Sequence, residues 1–121
     1  MENQNAQDKE IRQAIQQLKD DQLLVVMYYN DDKPVILIAR SLTDLMYWHI
    51  SETDIITLYN MLEVILNEGV EFSVMNGIWV SFKDNAYTIM IKETSISFSK
   101  EESLFFLGKL QEFITNNIQP C

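Results

Sequence analysis

Two helix starts built from the same chemistry divide this chain into strand-rich blocks, and that punctuation limits its fold more than any other feature. Ser51-Glu52-Thr53-Asp54 supplies a hydroxyl cap and acidic side chains for a first helical turn. Ser99-Lys100-Glu101-Glu102 reads as a capping box, with Ser at the N-cap and Glu three residues on. Behind the first start, Ile55, Leu58, Leu62, Ile65 and Leu66 fall at helical spacing, and Ile56, Tyr59 and Met61 widen the stripe. Gly69, after Asn67-Glu68, is the natural left-handed residue that ends it. Behind the second start, Leu104, Phe105, Leu107, Leu110, Phe113 and Ile114 mark another helix, and Pro120 lies in the tail. A third helix opens the chain: Ile11, Ala14, Ile15 and Leu18 form a narrow stripe between Asp8 and Asp20.

The blocks between the helices read as strands. Leu23 to Tyr29 is apolar and contains β-branched Val25 and Val26, Asn30 to Pro34 is dense in turn formers, and Val35 to Ala39 resumes the strand pattern. Leu42 to His49 predicts a third strand, with Leu45, Tyr47 and His49 on one face. In the second half Phe72 and Val74 alternate up to Asn76-Gly77, the strongest hairpin signal in the chain. Ile78, Val80 and Phe82 then alternate against Trp79 and Ser81. Asp84-Asn85 turns the chain again before Tyr87 to Ile91 and Ser95 to Phe98. The expected fold is α+β, an antiparallel sheet with three helices in the order α-βββ-α-ββ(ββ)-α. It occupies one domain over residues 8–116, between a polar tail, 1–7, and a short C-terminal tail, 117–121. Both halves run strands and then helix, a rhyme that common capping chemistry largely explains.

At 121 residues and 47% hydrophobic content the chain has the material for one core. Its 18 Asp and Glu against 9 Lys and Arg give a formal charge of −9. That excess argues against binding a phosphate backbone, which depends on counterion release by cations. It suits solubility or a basic partner. The single cysteine, Cys121, rules out a disulfide framework, and Gln119-Pro120-Cys121 is not a prenylation box. Met1 to Asp20 is polar and does not read as a secretory signal, and no apolar run approaches a membrane span. The expected setting is the cytoplasm.

Residues for catalysis are scarce. His49 is the only histidine, and no Ser or Cys nucleophile has recognisable context around it, so a structural or interface role is expected. One His and one Cys leave little for a zinc site. The acidic pairs Asp20-Asp21, Asp31-Asp32 and Glu101-Glu102 fall where turns and helix starts favour acid for local reasons. With three glycines, no phosphate-cradling loop is present. Gly108, inside the last helix, reads as either a close packing contact or a tolerated defect. The expectation is therefore a non-enzyme without cofactor or metal. Tyr28, Tyr29, Tyr47, Trp48, Trp79 and Tyr87 all fall in strands, where outward-facing aromatics could pack, anchor a peptide or stack bases.

The element order, from the stripe Ile11, Ile15 and Leu18 through the meander Leu23 to His49 and the helix Ile55 to Leu66, resembles that of class I type III secretion chaperones. The likeness covers residues 8–114, without a diagnostic motif. It departs from the family in running Lys19-Asp20-Asp21-Gln22 straight into a strand and in the hairpin at Asn76-Gly77. The resemblance implies a cytoplasmic homodimer that holds an extended effector segment on hydrophobic patches, its central helix near the dimer seam. On that reading Ile11, Ile15, Leu18, Tyr28, Tyr47 and Trp48 meet the partner, and Ile56, Tyr59 and Met61 form the dimer interface. Two other readings stand beside it. One is a phage-type acidic inhibitor, anti-defence or DNA-mimic-like, that binds a host nuclease. The other is a single-strand nucleic-acid binder of PC4 or PUR type, which the charge opposes.

Overall fold

The computed structural model describes residues 2–19 and 22–118, with side chains from residue 9 onward. Asp20-Asp21 and Gln119-Pro120-Cys121 lie outside the described residues. The elements follow the order α1 (Glu2–Gln16), β1 (Leu24–Asn30), β2 (Lys33–Ala39), β3 (Leu45–His49), α2 (Glu52–Glu68), β4 (Phe72–Met75), β5 (Ile78–Lys83), β6 (Ala86–Ile91), β7 (Thr94–Phe98), α3 (Lys100–Asn117). The fold is α+β, with one three-stranded and one four-stranded antiparallel sheet. Where the sequence suggests one domain over 8–116, the chain divides into two compact units, Met1–His49 and Ile50–Cys121. The boundary falls one residue ahead of the N-cap Ser51.

In the first unit, β1, β2 and β3 form a meander in chain order. Asp31 and Asp32 make the first turn with φ of 53° and 67°, the left-handed pair that a two-residue hairpin demands and that Asp tolerates. β2 is the centre strand, and Val35 to Ala39 are all buried. Ile11 and Ile15 of α1 pack on Leu37 and Ala39 of β2, with Leu18, Leu24, Val26, Tyr28 and Leu45 around them.

Two elements, α1 and β3, differ most in extent from expectation. α1 begins at Glu2, so residues 2–7, expected as tail, are helical in backbone, and it ends at Gln16, where Leu18 N–H bonds to the Ile15 carbonyl at 3.0 Å in a tighter turn. The third strand begins at Leu45, not Leu42. Ser41 Oγ accepts from the Asp44 amide at 3.0 Å, and the Arg40 amide bonds to the Asp44 carbonyl at 2.8 Å, so local side-chain chemistry holds residues 40–44 in a loop.

The second unit wraps two helices on one four-stranded meander. Ser51 Oγ accepts from the Asp54 amide at 3.1 Å to start α2, and Gly69 closes it at φ 70°, its amide on the Ile65 carbonyl at 3.2 Å. Asn76-Gly77 turns β4 into β5 with φ of 53° and 79°, and Asp84-Asn85 turns β5 into β6 with 55° and 64°. The capping box of α3 is complete: Glu102 Oε1 accepts from the Ser99 amide at 3.0 Å, and Ser99 Oγ from the Glu102 amide at 3.1 Å. The inner sheet face carries Ile78, Val80, Tyr87, Ile89, Ile91 and Phe98, all buried. Within this unit α2 packs on β4, β5 and α3, and α3 packs on β6 and β7. Phe106 of α3 meets Phe98 with ring centroids 5.3 Å apart.

Candidate protein-binding surface

Strand alternation fixes which side chains leave the other face of the four-stranded sheet. Its register sets Val74, Trp79, Met90 and Ser95 in one row and Phe72, Ser81, Thr88 and Ser97 in the next. The apolar end is open to solvent, with Phe72 at 55%, Trp79 at 44% and Val74 at 43% exposure. Phe72 and Trp79 are diagonal neighbours across the β4–β5 hairpin, their ring centroids 5.7 Å apart at 36°. Toward β7 the face turns polar, where Thr88 Oγ1 and Ser97 Oγ share a hydrogen bond of 2.8 Å. The surface therefore grades from an aromatic end to a hydroxyl end within two side-chain rows.

The aromatic end coincides with the sheet margin. Among the described residues β4 pairs with β5 alone, so its other side presents backbone groups without a neighbouring strand. Phe72 to Met75 contains neither Pro nor a charged residue, the usual devices that blunt such an edge. Beside Phe72 lies a groove of about 670 Å³, where Glu71 and Asp84 place acid and Lys83 a single cation. This combination can bury apolar side chains and accept a strand's backbone.

The residues expected to meet a partner are distributed differently. Ile11 and Ile15 are buried beneath α1, and Leu18 and Tyr28 are half-buried against the same cluster. Trp48 is buried, and Tyr47, opposite Leu37 on β3, is 48% exposed. Ile15 and Leu18 also line one side of a groove of about 940 Å³, whose far side is the loop of Arg40, Leu42 and Thr43. Of the three residues assigned to a dimer seam, Met61 is buried, Ile56 is 37% exposed, and Tyr59 is half-buried with its hydroxyl bonded to Glu63. That bond, burial and the Glu63 charge together raise the phenol's pKa above its usual value.

His49 sits exposed at the end of β3, opposite Val35. Asp31 and Asp32 serve the first hairpin, and Glu102 serves its capping box. Among the described residues no three His, Cys, Asp or Glu side chains gather where they could hold a metal ion. Nor is any helix among them long and apolar enough to cross a membrane.

Sequence reasoning recognised Trp79 as a strand aromatic but passed over Phe72 and Val74. The available signal was apolar side chains at both parities of the hairpin: Ile78 and Val80 on one face, Phe72, Val74 and Trp79 on the other. A hairpin that needs only one buried face has no internal use for the second set. Comparison of the chain with protein-family models, with curated proteins and with solved structures finds no match.

Proposed function

We propose that this protein is a non-catalytic binder of other proteins, which holds an extended apolar segment against the outer face of β4 and β5. The observation that carries the reading is the exposed Phe72–Trp79 pair at a sheet margin free of charge and proline. Aromatic side chains in such a setting are the usual anchors of an interface, while hydroxyl and acidic neighbours supply a polar rim. The net charge of −9 favours a segment carrying Lys or Arg around its apolar residues and disfavours nucleic acid, despite two rings that could stack on bases. The activity has the character of a secretion chaperone, working in the cytoplasm on a client held unfolded.

The test uses the buried and exposed tryptophans as contrast. Trp48 is buried and Trp79 exposed, so occupancy of the face is read as a blue shift from Trp79. Titration with synthetic segments that alternate apolar and polar residues between flanking lysines is expected to give that shift. Phe72→Ala with Trp79→Ala, whose binding is read by isothermal titration calorimetry because the reporter ring is gone, is expected to weaken binding by roughly 30-fold or more, the loss of about 2 kcal/mol that marks an anchor. A partner-lysate client serves as well once it is defined as a peptide. Equal affinity in the double variant, or salt-sensitive binding to oligo-dT in place of peptide, defeats the proposal.

A further inference from the structure

We propose that the free edge of β4 pairs antiparallel with the β4 edge of a second copy of this chain, joining the two four-stranded sheets into one. The bonding parity of the β4–β5 hairpin fixes which backbone groups that edge offers. The Phe82 amide donates to the Glu71 carbonyl at 2.8 Å, so Glu71–Phe82, Ser73–Val80 and Met75–Ile78 are the hydrogen-bonded pairs. The alternate pairs, Phe72–Ser81 and Val74–Trp79, turn the amides and carbonyls of Phe72 and Val74 away from β5. Among the described residues no strand meets those groups. Phe72 and Val74 therefore carry both the outward backbone groups of β4 and its exposed apolar side chains on the outer face.

Of the two-fold registers, only the one centred on Ser73 gives both positions a strand partner of the same bonding parity. It sets Phe72 of one copy opposite Val74 of the other, and Ser73 opposite Ser73. A register centred on Phe72 would set Val74 against Val70, outside the strand, and one centred on Val74 would set Phe72 against the left-handed Asn76. In the Ser73 register Phe72 and Val74 exchange paired hydrogen bonds across the axis. Each aromatic ring then lies beside a β-branched side chain, a favourable cross-strand match. Glu71, which precedes the strand, falls opposite Met75, so no carboxylate opposes another despite the net charge of −9. Neither proline nor charge interrupts the strand. Backbone and side chains are thus complementary to themselves about one axis, as an isologous contact requires. The pairing runs in the plane of the sheets, leaves the outer face open and brings the two Phe72–Trp79 pairs together as one patch. It stands whether or not that patch holds a client.

Sedimentation equilibrium up to about 1 mM protein, the range of weak contacts, is expected to show a monomer–dimer equilibrium. Val74→Pro removes an amide that β5 does not use, so the hairpin keeps its ladder while the contact loses a donor on each side of the axis. Association is expected to fall about tenfold or more, with the far-ultraviolet circular dichroism unchanged. In a Cys121→Ser background, Ser73→Cys sets two thiols across the axis in a non-bonded pair, about 4.5 Å between Cα atoms and within disulfide reach. Oxidation at the same concentration is expected to link Ser73→Cys chains as dimers. Phe72→Cys, which faces Val74 and not its own copy, is expected to link poorly. Should Val74→Pro unfold, the two cysteine variants decide alone. A monomer throughout, a dimer indifferent to Val74→Pro in a folded chain, or cross-linking of Phe72→Cys as complete as that of Ser73→Cys overturns the proposal.

Discussion

The Tyr59 hydroxyl is bonded to the Glu63 carboxylate one turn further along α2, and the contact favours the protonated phenol. With the folded-state pKa raised above the ordinary value of about 10, the folded chain keeps this proton where the unfolded chain releases it. The stabilisation is complete below about pH 10 and is lost as pH climbs through the raised value. Spectrophotometric titration of phenolate should show that the step lost in Tyr59→Phe lies above the ordinary tyrosine value. Glu63→Gln should lower that midpoint; an unchanged curve removes Glu63 as the cause.

The reciprocal bonds between Ser99 and Glu102 satisfy amides at the start of α3. Ser99→Ala leaves the Glu102 amide without that acceptor and is expected to cost about 1 kcal/mol. Urea unfolding should show the midpoint falling while the slope stays constant, since the surface exposed on unfolding is unchanged.

Ser103 is fully buried in the first turns of the same helix, and its hydroxyl has no hydrogen-bond partner among the described residues. Its desolvation is therefore uncompensated. Ser103→Ala is expected to raise stability by about 1 kcal/mol, from removal of the hydroxyl and from better helix propensity. A lower melting temperature for this variant would count against the burial described for the hydroxyl.

The glycines at 77 and 108 should respond to alanine with opposite signs. Gly77 sits at φ 79°, where a Cβ costs about 1 kcal/mol, so Gly77→Ala destabilises. Gly108 lies in a helix with room for a Cβ, so Gly108→Ala stabilises the fold by about 0.5–1 kcal/mol. Denaturation of both at low concentration compares them directly.

The parts of the fold visible in the sequence are those fixed by short-range chemistry. Ser51, Gly69, Asn76-Gly77 and the Ser99–Glu102 box each act within four residues, and each stands where its pattern places it. The start of β3 escaped because Ser41 competes for backbone amides that a strand would otherwise use. The binding surface was harder to read for a different reason. A narrow apolar stripe such as Ile11, Ile15 and Leu18 looks alike whether it awaits a partner or covers its own sheet, and here Ile11 and Ile15 lie on Leu37 and Ala39. Met61 likewise widened the α2 stripe from a buried position, not an outward one. Conversely, Phe72 and Val74 carry no local sign of exposure, because alternation reveals that two faces exist and not which one the helices take.

Both sheets are meanders in which each strand pairs with the next along the chain. Four of the five connections are two-residue turns, and the fifth is the short loop from Arg40 to Asp44. No strand has to wait for a distant segment, so the entropy of closing long loops scarcely enters the order of events. During synthesis the β1–β3 meander is complete once His49 has emerged, before α2 exists. Assembly can keep pace with the ribosome, and the nascent chain spends little time with its apolar strands unmatched.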